Sequence, residues 1–239
     1  MRGRLSVAAI VLTSLGLFGT ACSESSSPAS ESSAPTESVP NTPAALLLPA
    51  REFPKGYQPA ELGILDLRAQ NAAALESARS AQFDPPQCRP TADADLNDQL
   101  DVSNAALSAW QSPTGGTITE LVTTVPRDID ADVRVSVGEC AQFTITVTQG
   151  STAGTTVLTQ NRRLTPPALP TSLSLIVSSV ATTTYPGGRA ATSQTLAGYA
   201  VVDGITVQLV ANSTEKGLSE AEFADLFAEA VDRVDAANR

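Results

Sequence analysis

Three cysteines and no histidine define the chemistry open to this 239-residue chain. Without imidazole there is no Ser-His-Asp or Cys-His triad, no histidine general base and no common zinc site. Cys88 and Cys140 make an even pair beyond the N-terminal region. In an exported chain such a pair reads as a disulfide. It would close a loop of about 50 residues, worth about 4 kcal/mol on a chain-entropy argument. The other readings are two buried thiols or a two-thiolate metal site, and the latter lacks further Cys or His ligands. The acidic run D-A-D-L-N-D at residues 93–98 looks like a calcium loop, but that loop needs Gly at its sixth place and Glu at its twelfth. Asp98 and Asn104 stand there instead. Acids in this position suit the first turn of a helix. No metal and no cofactor are expected.

Enzymatic chemistry keeps few routes. One is a pair of carboxylates acting alone, as in glycoside hydrolysis. Another is a Ser-Lys pair built on Lys55 or Lys216, the chain's two lysines. G-x-S-x-G, P-loop and dinucleotide patterns are missing from the sequence. The Gly-rich Y-P-G-G-R at residues 185–189 lacks phosphate-loop spacing. No catalytic residue is assigned, and the chain reads as a non-enzyme.

Cys22 has a different setting. Arg2 and Arg4 precede an uncharged apolar run at residues 5–18, long enough for a signal peptide and short of the roughly 20 residues a membrane span needs. Gly19, Thr20 and Ala21 then lead into Cys22. Small residues before a cysteine resemble the bacterial lipobox, with Gly19 where Leu is commonest. There the sulfur takes a diacylglycerol and cleavage makes the cysteine the first residue. Two or three acyl chains, palmitate among them, make a stable anchor. Residues 1–21 are thus read as a lipoprotein signal peptide and Cys22 as the lipidation site. The expected location is the extracytoplasmic face of the cell membrane.

Residues 22–45 are rich in Ser and Pro, with Glu24, Glu31 and Glu37 and no base. Such a segment cannot offset its ordering entropy and is expected to be a disordered tether, its Ser and Thr either bare or carrying O-linked sugar. Residues 46–239 remain for one domain. Cleavage before Cys22 leaves 13 bases against 25 acids, a net charge of −12, which argues against nucleic acid as a partner.

The elements that would position these residues follow from periodicity. Helices are predicted at 66–82, with Asp66 as N-cap, and at 93–110, where Leu96, Leu100, Leu107 and Trp110 share one stripe. Strands are predicted at 117–125, 132–137, 141–148, 155–160, 172–184, 195–202 and 205–211. Phe143, Ile145 and Val147 alternate with Thr144, Thr146 and Thr148, a half-buried antiparallel strand. Asp203-Gly204 marks a type I′ hairpin. Ser219 and Glu222 form a capping box for a last helix striped by Phe223, Leu226, Phe227, Ala230 and Val234. The fold class is α+β, an antiparallel sheet with helices packed on it and one disulfide.

The F-P-x-G-Y of residues 53–57, the D-P-P-Q-C of residues 84–88, the strand after Cys140 and the strand-helix ending together resemble a family. It comprises small mycobacterial and actinobacterial lipoproteins with an uncharacterised domain, similar to the extracellular sensor domain of a mycobacterial serine/threonine kinase. The resemblance implies a central antiparallel sheet flanked by helices, with a ligand cleft. Such domains usually have two disulfides, whereas this domain can form one. Tyr57, Trp110, Tyr185 and Tyr199 are candidates for core, rim or cleft wall. The expected role is a non-catalytic binding module for a small ligand or envelope component, its ligand-binding residues unassigned. The alternative is a structural or accessory envelope protein that docks to another protein.

Overall fold

The computed structural model describes residues 42–89, 92–215 and 217–239. The signal segment, Cys22, most of the expected tether and Lys216 lie outside them. So do the side chains of Asp93 and Asp95, and with them the helix-start reading of those acids.

Among the described residues, nine strands form one antiparallel sheet: β1 (Gln58–Pro59), β2 (Ala81–Asp84), β3 (Ala105–Gln111), β4 (Thr117–Thr123), β5 (Gln142–Val147), β6 (Thr156–Leu164), β7 (Ser174–Thr184), β8 (Ala190–Val202) and β9 (Ile205–Ser213). Their order is β1-β3-β4-β9-β8-β7-β6-β5-β2. The helices are α1 (Pro43–Leu46), α2 (Ile64–Arg79), α3 (Ala92–Gln99), α4 (Ile129–Val133, continued by a looser turn to Glu139) and α5 (Glu220–Ala237). This is the expected α+β class. Asp203 and Gly204 take φ of 48° and 82° between β8 and β9, the conformation a type I′ turn demands. Ser219 accepts from the Glu222 amide while the Glu222 carboxylate accepts from the Ser219 amide, closing the capping box. Cys88 and Cys140 form the disulfide.

Side-chain alternation divides the helices between the two faces of the sheet. Ile118 and Val122 of β4, Ile176 of β7, Leu196 and Ala200 of β8 and Val207 of β9 pack against Phe223, Phe227, Val231 and Val234 of α5. Gly198 lies under the Phe227 ring, where a Cβ would come within 2.6 Å. On the opposite face, Ile64 of α2 and Leu100, just past α3, meet Leu121, and α4 meets Leu175 and Val177 through Ile129.

Three predicted elements differ. The second helix stops at Gln99, and the residues expected to extend it become β3. A side-chain network ends it. Asp101 accepts from the Ser103 amide and hydroxyl, and Asn104 accepts from the Asp101 amide while donating to the Gln99 carbonyl. Such local bonds compete with the helix ladder. Residues 132–137 are not a strand, because Asp128 accepts from the Ala131 amide as a helix cap. Ile129, Val133 and Val137 then recur every fourth residue against the sheet. The first helix runs from Ile64 with Gly63 as N-cap, and Asp66 accepts from the Gly63 amide rather than capping by itself. It ends at Arg79, leaving Ala81–Asp84 to pair with β5. Helix α1 also begins before residue 46, inside the stretch expected to be tether.

Candidate functional site

Helix α5 packs on β8 and β9 and leaves the same sheet face open farther out. Register places three rows of side chains on that open half. Asp84, Thr144, Leu158, Thr182 and Thr192 form one row; Gln82, Thr146, Thr156 and Thr184 flank it on one side. Gln142, Gln160, Val180 and Gln194 flank it on the other. Gln142, Leu158, Gln160, Thr184 and Thr192 are exposed, and Leu158 is among the large apolar side chains left open. Strands spaced about 4.8 Å apart turn these rows into an open lattice of hydroxyls and amides. Threonine suits it twice over: its branched Cβ fits the pleat and its hydroxyl can both donate and accept. Arg162 of β6 pairs with Glu220 at the start of α5 and marks the border between covered and open halves. That pairing holds the Glu220 carboxyl below its ordinary range.

The reverse side of the open half is apolar at its outer edge, with Phe83, Phe143 and Ile145, and polar toward β7, where the Ser179 hydroxyl donates to Asn161. Phe83 and Phe143 stack at 6.3 Å, and the Arg89 guanidinium sits 5.7 Å above Phe83. Arg89 also donates to the Ala81 carbonyl at 3.1 Å, covering the outer edge of β2. A groove of about 500 Å³ runs along that edge, lined by Arg79, Phe83, Asp84 and Arg89. The disulfide ties the turn after β2 to the start of β5.

The aromatic residues picked from the sequence are not gathered in one cleft. Trp110 stacks on Phe53 at 4.4 Å, and with Tyr57 it packs against the α5 core. Tyr199 lies on the opposite face under Arg127, 4.0 Å from its ring, and Arg127 in turn pairs with buried Asp132. Tyr185 is at the tip of the β7–β8 hairpin beside Arg189. Lys55 sits on an exposed turn. Among the described residues no cluster of Cys, Asp and Glu is placed to hold a metal.

Sequence reasoning missed Glu120. It is fully buried in β4, its two oxygens accepting from the Leu48 amide at 3.0 and 3.1 Å and one of them from the Ser108 hydroxyl at 3.2 Å. Burial raises its pKa to about 7, against the opposing pull of Leu48, Ser108 and Arg233. Its signal in the sequence was a single acid inside the otherwise uncharged T-I-T-E-L-V-T of β4.

No protein-family model matches the chain, and no curated protein matches it in sequence. Among solved structures it is similar to an uncharacterised protein of Mycobacterium smegmatis, described as the Rv0999 ortholog. The TM-score is 0.45 and the identity 14%, over 83% of this chain and 98% of that one.

Proposed function

We propose that the chain is an acyl-anchored lipoprotein on the extracytoplasmic face of the cell membrane. Its folded part is a non-catalytic binding module that engages an envelope component through the open half of the sheet. The observation that carries the reading is the uneven covering of one sheet face: apolar under α5, a lattice of Thr and Gln beyond it. A broad open surface of donors and acceptors suits a large polar partner better than a small molecule, which calls for a concave, largely apolar pocket. The G-T-A-C of residues 19–22 supports the anchor. The F-P-x-G-Y and D-P-P-Q-C motifs support kinship with small mycobacterial and actinobacterial lipoproteins whose domain is similar to the extracellular sensor domain of a mycobacterial serine/threonine kinase, and a sensor-like binding role agrees with the surface.

Two measurements test this. Cys22→Ala is expected to shift the protein from the membrane to the soluble fraction, and a variant that stays membrane-bound contradicts the anchor. Native mass spectrometry of full-length protein extracted from its host membranes is expected to show a bound component. Thr182→Arg should lose that component and Asp225→Arg, on the outside of α5, should keep it. The opposite pattern would place the binding surface elsewhere.

A further inference from the structure

The N-terminal segment at residues 42–53 crosses the sheet as a strap, and the groups that hold it include the one charged side chain in β3, β4 and β9. Leu46 and Leu48 are 1% and 6% exposed beneath it, and Phe53 closes over Trp110. Two polar attachments reach its backbone. Arg233 of α5 donates to the Ala45 carbonyl at 2.8 Å, and Glu120 accepts from the Leu48 amide. The strands under the strap supply no other charge to Glu120, and from α5 the Arg233 guanidinium acts on it. On the outer side, Arg51, Glu52, Glu229 and Asp232 line a groove of about 490 Å³ between strap and helix. There Glu229 is raised by its own burial and by the Glu52 carboxylate, with Asp225 and Asp232 adding to the effect.

An ionised carboxylate buried this deeply is costly even with the Leu48 amide, the Ser108 hydroxyl and the Arg233 guanidinium beside it, and lifting the strap returns Glu120 to water. We propose that residues 42–53 form a latch over the sheet and that proton loss from Glu120 releases it. The direction follows from linkage. Closed, Glu120 holds its proton up to about pH 7; open and solvated, it ionises at the ordinary 4.5. The closed state keeps the proton longer, so the opening equilibrium climbs between those two values and levels off above the upper one, with a ceiling on the order of 300-fold. Repulsion between Glu52 on the strap and Glu229 on α5 acts in the same direction as Glu229 ionises. Release would pass about 12 residues, up to ~40 Å of extended chain, to the segment that leads toward the N-terminus.

Hydrogen exchange of the full-length protein tests this from about pH 5 to about pH 8, corrected for intrinsic rates. The Leu48 amide reads the latch, and the Val207 amide in the core reads global unfolding. The latch predicts a larger opening constant for Leu48 than for Val207, rising on the order of 100-fold across that range. In Glu120→Gln the rise should shrink to a few-fold. Ser108→Ala removes a donor to the carboxylate, so it should carry the rise to higher pH, and it decides the matter if Glu120→Gln does not fold. Four results would overturn the proposal: no rise in the wild type, a full rise in Glu120→Gln, an unmoved rise in Ser108→Ala, or Leu48 opening no more readily than Val207.

Discussion

The two halves of one sheet face are held together by different means. Under α5, strands β4, β9, β8 and β7 offer Ile118, Val122, Val207, Leu209, Leu196 and Ile176, all buried. Beyond Arg162 the same antiparallel ladder continues through β6, β5 and β2, but its side chains on that face are chiefly Thr and Gln. One half is stabilised by apolar burial against a helix. The other stacks Phe83 on Phe143 behind its outer strands and is fastened at its edge by the Cys88–Cys140 bond. An identical backbone pattern thus serves as core in one place and as surface in the other, and side-chain choice alone separates them.

Substitutions should fall unequally on the two halves. The largest effect belongs to Phe227→Ala, which empties the space over Gly198. A loss of about 3–5 kcal/mol is expected in denaturant unfolding. Replacing Cys88 and Cys140 together by Ser should cost about 2–5 kcal/mol, with hydrogen exchange increasing first in β2 and β5. If exchange increased first in α5 instead, the division of labour between burial and disulfide would be wrong. Gly198→Ala pushes a methyl into the Phe227 ring and is expected to cost about 1–3 kcal/mol. Thr182→Val, in the middle of the open lattice, should change stability by less than about 0.5 kcal/mol while weakening retention of the bound component. A loss comparable to that of Gly198→Ala would mean that something covers Thr182.

Much of the covered half was legible in the sequence because local signals agreed with the tertiary outcome. The β8–β9 hairpin was marked by Asp203-Gly204, and α5 by its capping box and apolar stripe. The pairing of Cys88 with Cys140 followed from there being two such cysteines. The open half was harder. Strand β2 was hidden by the Ala-rich run before it, and nothing local said that residues 81–84 would pair with β5. Outside the open half, strand β3 was disguised because Leu96, Leu100, Leu107 and Trp110 fit a helical period. The turn chemistry of Asp101, Ser103 and Asn104 broke that period, and Leu100 and Leu107 reached the same cluster from two different elements. The alternation of Phe143, Ile145 and Val147 with threonines showed that one side of β5 would be polar. It could not show that neighbouring strands would line their polar residues up in register. Glu120 was passed over because its meaning depends on the strap, which approaches from 72 residues away in sequence.

The most direct test of the central claim places a photo-cross-linking amino acid at Leu158, in the middle of the open lattice, and in a second protein at Asp225 on the outer side of α5. Both would be made as full-length proteins and irradiated in the host envelope. The account predicts a discrete adduct from position 158 and none from position 225. An adduct from 225 alone, or none from 158, would contradict it.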